Sequence, residues 1–441
     1  MEAYAWNTES ASREETRGVK IKGASMTGRR WTLLTIVGIS LTLAALTGCR
    51  VIRRRLLGQG QQPAGAISAR TLPSIIETAA PKGPGTPPSA QTALQVPTEG
   101  PIPASMTWVE LPNAVSNGTV CNDGSPAGYY IRRGTGAGFR LWIIHLQGGG
   151  LCTSTGNCDQ RQKELPNFMS STGFPPTRDG DGIMSTSSRD NPDFLRANQV
   201  YVSYCSSDVW SGDREASAAT ENRHFRGARI VRAVVETLMD PALTAPSNLA
   251  DATDVLFSGS SAGGVGVLVH LDWLAGKLPG VNVRGMTDAG WILDIEPYDA
   301  AIDRASVQFQ DGFGLWNGTV DASCAAANQG AEGRCYIGPY AYSTIQTPLF
   351  VQISQSDGPQ LNAMGITRPL DSKKEEYVVQ FGVEVRASLT NVQAAFSPTT
   401  ISHGLLLDPE FWSQGIQGFS LSQVLGNWFF DRPSQVIKAI E

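Results

Sequence analysis

The sequence predicts an α/β fold, a mostly parallel central sheet flanked by helices and broken by loop-rich insertions. Three observations carry that expectation. Apolar runs at 141–147, 200–204, 255–257 and 347–354 have the length and composition of buried strands. The run 255–257 passes through Gly259 and Ser260 into Ser261, Ala262, Gly263 and Gly264, and the apolar stretch 265–271 continues as a helix. Residues 225–239 set Ala228, Ile230, Val231, Val234, Val235, Leu238 and Met239 at mostly helical spacing, as a helix packed on a sheet requires. With 441 residues, 41% of them hydrophobic, the chain can bury a sizeable core, and 47 glycines and 26 prolines supply the loops.

Residues 1–49 read as an N-terminal extension and a lipoprotein-type signal. Residues 1–25 are polar, so Met26 is a plausible start; Arg29 and Arg30 then precede the uncharged stretch 31–46. That stretch is short for a spanning helix of about 20 residues but suits a signal core. Its ending, Leu46-Thr47-Gly48-Cys49, resembles a bacterial lipobox, in which Cys49 is acylated and becomes a membrane anchor. The plain alternative is an uncleaved anchor helix, although Arg50 and Arg53 to Arg55 just beyond it oppose the positive-inside tendency. Either reading places the catalytic part of the chain outside the cytoplasm. Residues 50–106, rich in Pro, Gly and Ala, read as a disordered tether, and 107–441 as one large domain that carries the chemistry.

In that domain the strand 141–147 ends abruptly in Gly148, Gly149 and Gly150, followed by Leu151 and Cys152. Glycines after a strand leave backbone N–H groups open. Acyl transfer turns a carbonyl oxygen into an alkoxide, which preorganised N–H donors stabilise, one after the nucleophile and others from an earlier Gly-rich loop. Ala262, Gly149 and Gly150 fit those places; a flexible turn is the plain alternative. Ser261 occupies the centre of G-x-S-x-G, a turn that lifts a serine hydroxyl out at the carboxyl edge of a sheet, and is the candidate nucleophile.

A serine hydroxyl needs a base, and the base an orienting acid. Of the four histidines, His145 lies in a strand, His224 before the helical run 225–239 and His270 on the helix after Ser261. His403, in the loop-like stretch 400–404, comes where a serine, acid, histidine order places the base. The acid follows a strand between them: Asp357, at the outlet of 347–354, is preferred to Asp294 after Trp291, Ile292 and Leu293. An aspartate beside glycine is often only a turn residue.

These residues carry a resemblance. The chain resembles the pectin acetylesterase and Notum family of serine carboxylesterases in the runs 145–152, 204–212, 225–227, 259–264, 288–291, 347–350, 402–403 and 428–432. The resemblance implies an α/β-hydrolase-like fold, a triad of Ser261, Asp357 and His403, and an oxyanion hole from Gly149, Gly150 and Ala262. It also favours Asp357 over Asp294. Three departures touch the surroundings: Gln147 stands for a frequent glutamate, Leu151 for an aromatic residue, and Thr400 for a cysteine, which removes one disulfide and leaves the His403 loop less tethered. Asp208 and Trp210 follow the strand 200–204 on the side where loops build sites and, with Leu151, are candidate pocket residues.

Seven cysteines less Cys49 leave six, an even number suited to an oxidising compartment. Cys152 with Cys158 and Cys324 with Cys335 are close enough for local bridges. Cys121 with Cys205 is then left, a pair the resemblance supports, although other connectivities remain open. No Cys-x-x-Cys pair or clustered histidine argues for a metal. A net charge of −5 gives no footprint for nucleic acid, and no phosphate-binding glycine loop calls for a nucleotide cofactor. The expected activity is hydrolysis of acyl esters, acetyl esters on polysaccharide first. A Notum-like action on longer fatty acyl esters, a peptidase or amidase using the same triad, and a catalytically silent surface binder of the same fold are the alternatives.

Overall fold

The protein is described from a computed structural model covering residues 74–78, 100–244 and 247–441. Cys49, the signal-like stretch and most of the expected tether lie outside the described residues. Strands β1 (Ile75–Thr78), β2 (Met106–Glu110), β3 (Gly128–Arg132), β4 (Leu141–Leu146), β5 (Thr177–Arg178) and β6 (Asn198–Val202) come first in the chain. They are followed by β7 (Asp254–Ser260), β8 (Asn282–Asp288), β9 (Leu349–Gln352) and β10 (Ala394–Ser397). A short hairpin of β11 (Gly415–Ile416) and β12 (Phe419–Ser420) precedes β13 (Val436–Ile440). All but the hairpin join one sheet in the order β1-β13-β10-β9-β8-β7-β4-β6-β3-β2-β5. The stretch from β13 to β6 is parallel throughout, while β1 at one edge and β3, β2 and β5 at the other run antiparallel.

The period-two geometry of a strand sends alternate side chains to opposite faces, and here both faces are apolar. Trp142, Ile144 and Leu146 of β4 and Val255 and Phe257 of β7 enter one core. Ile143 and Leu256 enter a second. The first core receives Ile230, Val231, Val234 and Leu238 of the helix Gly227–Met239 and Val267, Leu268 and Leu271 of the helix Ala262–Lys277. Leu421, Val424 and Leu425 of the helix Leu421–Phe429 cover the other face. This is the expected α/β arrangement, a mostly parallel sheet with helices on both sides.

One boundary is corrected. Ile75–Thr78 falls inside the stretch expected to be a disordered tether, yet it forms β1, paired antiparallel with β13. Its composition explains this: Ile75, Ile76 and Thr78 are β-branched and suit a pleated surface, while the surrounding prolines and glycines dominate any average over the segment. Ile75 packs against the first core and Ile76 against the second, so the strand closes both at the sheet edge. Met106, fully buried, likewise belongs to β2 rather than to a tether.

Candidate active site

β7 ends at Ser260, and Ser261 turns the chain with φ 55° and ψ −120° before the helix Ala262–Lys277 begins. Such a backbone costs a serine about 1–3 kcal/mol and persists only where surroundings hold it. Here they do: the Ser261 N–H donates to the Asp288 carbonyl at 2.7 Å, and the Val265 N–H donates to the Ser261 carbonyl at 3.1 Å, opening the helix. Glycine at 263 is a steric necessity, since a methyl group there would collide with the carbonyl of Leu146 at the end of β4. The serine expected as nucleophile therefore sits on a strained strand-to-helix turn at the carboxyl edge of the sheet.

β4 lies beside β7, with Leu146 opposite Gly259, so its glycine loop leaves the sheet next to that turn. A methyl group on Gly148 would stand 2.9 Å from Ser261 Cβ. Gly149 (φ 143°) and Gly150 (φ 71°) take conformations that favour glycine. A side chain at 149 would also meet the Phe168 ring and lie 3.1 Å from Tyr204 Cδ1. Beyond the loop, Leu151 is half-buried against the first core. Cys152 is held by its bridge to Cys158, by its N–H on the Ser207 carbonyl (3.0 Å) and by Trp316 Nε1 on its own carbonyl (2.8 Å). The candidate oxyanion donors are thus brought against the candidate nucleophile by strand register.

β9 delivers Asp357 and β10 delivers His403, each a few residues past its strand. Asp357 is fully buried; one carboxylate oxygen accepts the Gln360 N–H (2.9 Å) and caps the helix Gly358–Ala363, and the other meets His403 Nδ1 at 2.8 Å. A carboxylate there places the proton on Nδ1 and leaves Nε2 as the basic nitrogen. Burial pulls the His403 pKa down, but the charge and hydrogen bond of Asp357, joined by the charge of Asp288, outweigh it and hold the imidazole above its ordinary value of 6.5. The loop carrying His403 lacks the disulfide expected of the family pattern and is tied by hydrogen bonds instead. Ser354 Oγ donates to the Thr400 carbonyl, and Gln414 Nε2 to Thr400 Oγ1 at 2.9 Å.

The sequence profile of the family described as Pectinacetylesterase matches residues 102–441. The chain belongs to the pectinacetylesterase family. The palmitoleoyl-protein carboxylesterase NOTUM of Homo sapiens is 35% identical over 329 residues, covering 71% of this chain and 64% of the human protein. Its namesake in Drosophila melanogaster is 35% identical over 324 residues, covering 72% of this chain and 47% of that protein. A solved structure of the Wnt deacylase Notum from Drosophila shares the fold with a TM-score of 0.69 at 33% identity, covering 76% of this chain and 96% of the other. The matched region thus spans less than two thirds of the length of these two curated relatives.

The other candidate residues of this pectinacetylesterase-family chain take supporting places. Asp208 and Trp210, expected at the pocket, are fully buried. The Asp208 carboxylate accepts Ser206 Oγ (2.6 Å) and the N–H groups of Trp210 (3.1 Å), Gly212 (3.2 Å) and Gly227 (2.8 Å), knitting its loop onto the start of the helix Gly227–Met239. Burial pushes its pKa up to about 6 against those donors. Trp210 Nε1 donates to the Gln147 carbonyl at 3.0 Å and so braces the glycine loop from below. The same loop holds Ser207, Val209 and Trp210 at positive φ, and the Val209 N–H is met by Tyr204 Oη at 2.8 Å. Asp294 accepts the Ser306 N–H (3.0 Å) in the first turn of the helix Ala305–Trp316. His145 and His270 are buried and neutral, with pKa values driven by burial down to about 3 and about 4. His224 receives the Ala216 N–H on Nδ1. The six cysteines form the bridges Cys121–Cys205, Cys152–Cys158 and Cys324–Cys335.

Sequence reasoning assigned no role to Asp288 or Ser260. They face each other in register at the ends of β8 and β7, and Ser260 Oγ donates to Asp288 Oδ2 at 2.6 Å. The available signal was the place of Asp288 at the head of the run 288–291 that carries the resemblance, but an aspartate followed by Ala289 and Gly290 reads equally well as a turn residue.

Proposed function

We propose that this protein is an exported serine carboxylesterase that hydrolyses acyl esters, acetyl esters on polysaccharide first. The observation that carries the reading is the 2.8 Å bond from buried Asp357 to His403 Nδ1, in a loop that adjoins the strained serine turn through Gly404 and Ser260. His403 takes the Ser261 proton as Ser261 Oγ attacks the ester carbonyl, and the N–H groups of Gly149, Gly150 and Ala262 receive the oxyanion. His403 then protonates the leaving alcohol, and water repeats the cycle on the acyl-enzyme to release the acid. Loss of one oxyanion donor is worth about 100-fold to 1000-fold in turnover. Three disulfides support an oxidising compartment, and a lipid anchor at Cys49 would keep the enzyme at a membrane surface.

A second reading, cleavage of longer fatty acyl esters, is favoured by the 35% identity to palmitoleoyl-protein carboxylesterases. A series of p-nitrophenyl esters from acetate to long chains, run beside Ser261→Ala, separates the two. Activity highest on acetate and lost in the variant supports the deacetylase. Preference for long chains moves the substrate to fatty acyl esters. Undiminished activity in the variant overturns Ser261 as nucleophile, and no activity on any ester favours a silent binder of the same fold.

A further inference from the structure

Asp288 stands at the junction of the two halves of the candidate site. Its carbonyl receives the N–H of Ser261 at 2.7 Å. Its carboxylate receives Ser260 Oγ (2.6 Å), the Leu405 N–H (2.9 Å) and the Leu406 N–H (3.3 Å). The first two donors belong to the turn that carries Ser261; the last two come after His403 in the chain. Between them, Gly404 passes so close that a methyl group there would lie 2.8 Å from Asp288 Oδ2. The carboxylate is fully buried, so its partners are these groups rather than solvent.

We propose that Asp288 is a positioning residue of the esterase site, whose charged carboxylate clamps the His403 loop to the Ser261 turn and helps Asp357 stabilise the protonated imidazole. The proposal rests on the reading of Ser261 and His403 as nucleophile and base, and adds a second carboxylate to the histidine. Three donors on two oxygens favour an ionised group, because a proton on either oxygen displaces a donor or forces Ser260 to turn. The ionisable group whose charge acts on Asp288 is His403, which holds Asp357 on Nδ1; the register neighbours on the flanking strands are Ser260 of β7 and Gln352 of β9, both neutral. Burial raises the Asp288 pKa to about 6, against the pull of Ser260, the two N–H groups and His403, so the carboxylate is ionised above 6.5, where the histidine titrates. Two carboxylates raise the His403 pKa together, and removing one charge lowers it.

The test compares wild type, Asp288→Asn, Ser260→Ala and Ser261→Ala, following kcat and KM for p-nitrophenyl acetate against pH, with covalent labelling by a fluorophosphonate. Asp288→Asn should move the acid limb of kcat/KM to lower pH by about half a unit to one unit. It should also reduce the plateau kcat about tenfold to a hundredfold through lost positioning, with KM little changed. Ser260→Ala removes one donor but keeps the carboxyl group, and should lower the plateau with a smaller movement of the limb than Asp288→Asn gives. A plateau loss in Asp288→Asn without movement of the limb assigns a merely structural role and overturns the proposal, as does a wild-type profile. If Asp288→Asn fails to fold, Ser260→Ala decides, and wild-type kcat in that variant overturns the clamp. Loss of activity and labelling in Ser261→Ala with an unmoved limb in Asp288→Asn sinks this proposal alone, whereas full activity in Ser261→Ala sinks the reading of Ser261 as nucleophile and the proposal with it.

Discussion

Two demands meet in the carboxyl group of Asp357: one oxygen caps a helix through Gln360, and the other orients His403. Asparagine can keep the cap but presents an amide to Nδ1, which favours the wrong tautomer. Asp357→Asn should therefore lower kcat on p-nitrophenyl acetate by about 1000-fold to 10,000-fold, with a melting temperature close to wild type. Equal losses of activity and stability would assign the carboxylate to folding instead. The same histidine sets the pH dependence. In the proposed mechanism only neutral imidazole accepts the serine proton, and the carboxylates hold its pKa above 6.5, so kcat/KM should fall as pH drops through a value above 6.5. His145 and His270, kept neutral by burial, do not compete for that limb, and burial lowers His224 as well. A wild-type limb below 6.5 would contradict the two-carboxylate environment.

At the scale of elements, the parts readable from the sequence are those whose signal is contiguous. Strand, glycine-flanked Ser261 and helix succeed one another within 254–277, and the glycine loop comes directly after β4, so both were legible. Asp357 stood out at the outlet of an expected strand and His403 through chain order alone, since β10 was not expected, and the structure joins the two by a hydrogen bond. Asp288 was not, because its loop partners Leu405 and Leu406 lie 117 and 118 residues away and meet it only once the sheet has set its register. Asp208 and Trp210 stood out as a run, yet their burial depends on donors from Gly227 and on the carbonyl of Gln147, which no local pattern reveals. The disulfides divide in the same way. Cys152–Cys158 closes a separation of 6 residues and Cys121–Cys205 one of 84. Chain entropy assigns about 2.2 kcal/mol to the shorter loop and about 4.5 kcal/mol to the longer. Replacing both Cys121 and Cys205 by serine should thus cost more in denaturant midpoint than replacing Cys152 and Cys158. Activity should respond in the opposite order, because Cys152 lies just past the proposed oxyanion glycines. Stability losses of the reverse order would mean that the long loop is already constrained in the unfolded chain.

For the whole molecule, the open question is how the sheet ends at β13. A parallel sheet leaves an edge of unpaired N–H and C=O groups, and Val436, Ala439 and Ile440 make this edge apolar. β1 covers it from outside the family-matched region 102–441: its four residues pair with β13, and Glu77 reaches Lys438 Nζ at 3.3 Å. Ile75 and Ile76 are partly buried on opposite faces, which is worth about 1–2 kcal/mol after ordering costs. A chain that starts at Gly100 should therefore melt about 2–4 °C below one that starts at Ser74, and should associate more readily at high concentration through the bared edge. Its kcat per folded molecule should match that of the longer chain, because β10 remains paired with β13 on the inner side and β9 with β10, so the strands that carry Asp357 and His403 keep their neighbours. Equal melting temperatures would show that β1 adds no net stability. A fall in kcat at unchanged folded fraction would show that strain at the sheet edge reaches the Asp357–His403 pair, which would make the segment before residue 100 part of the working enzyme.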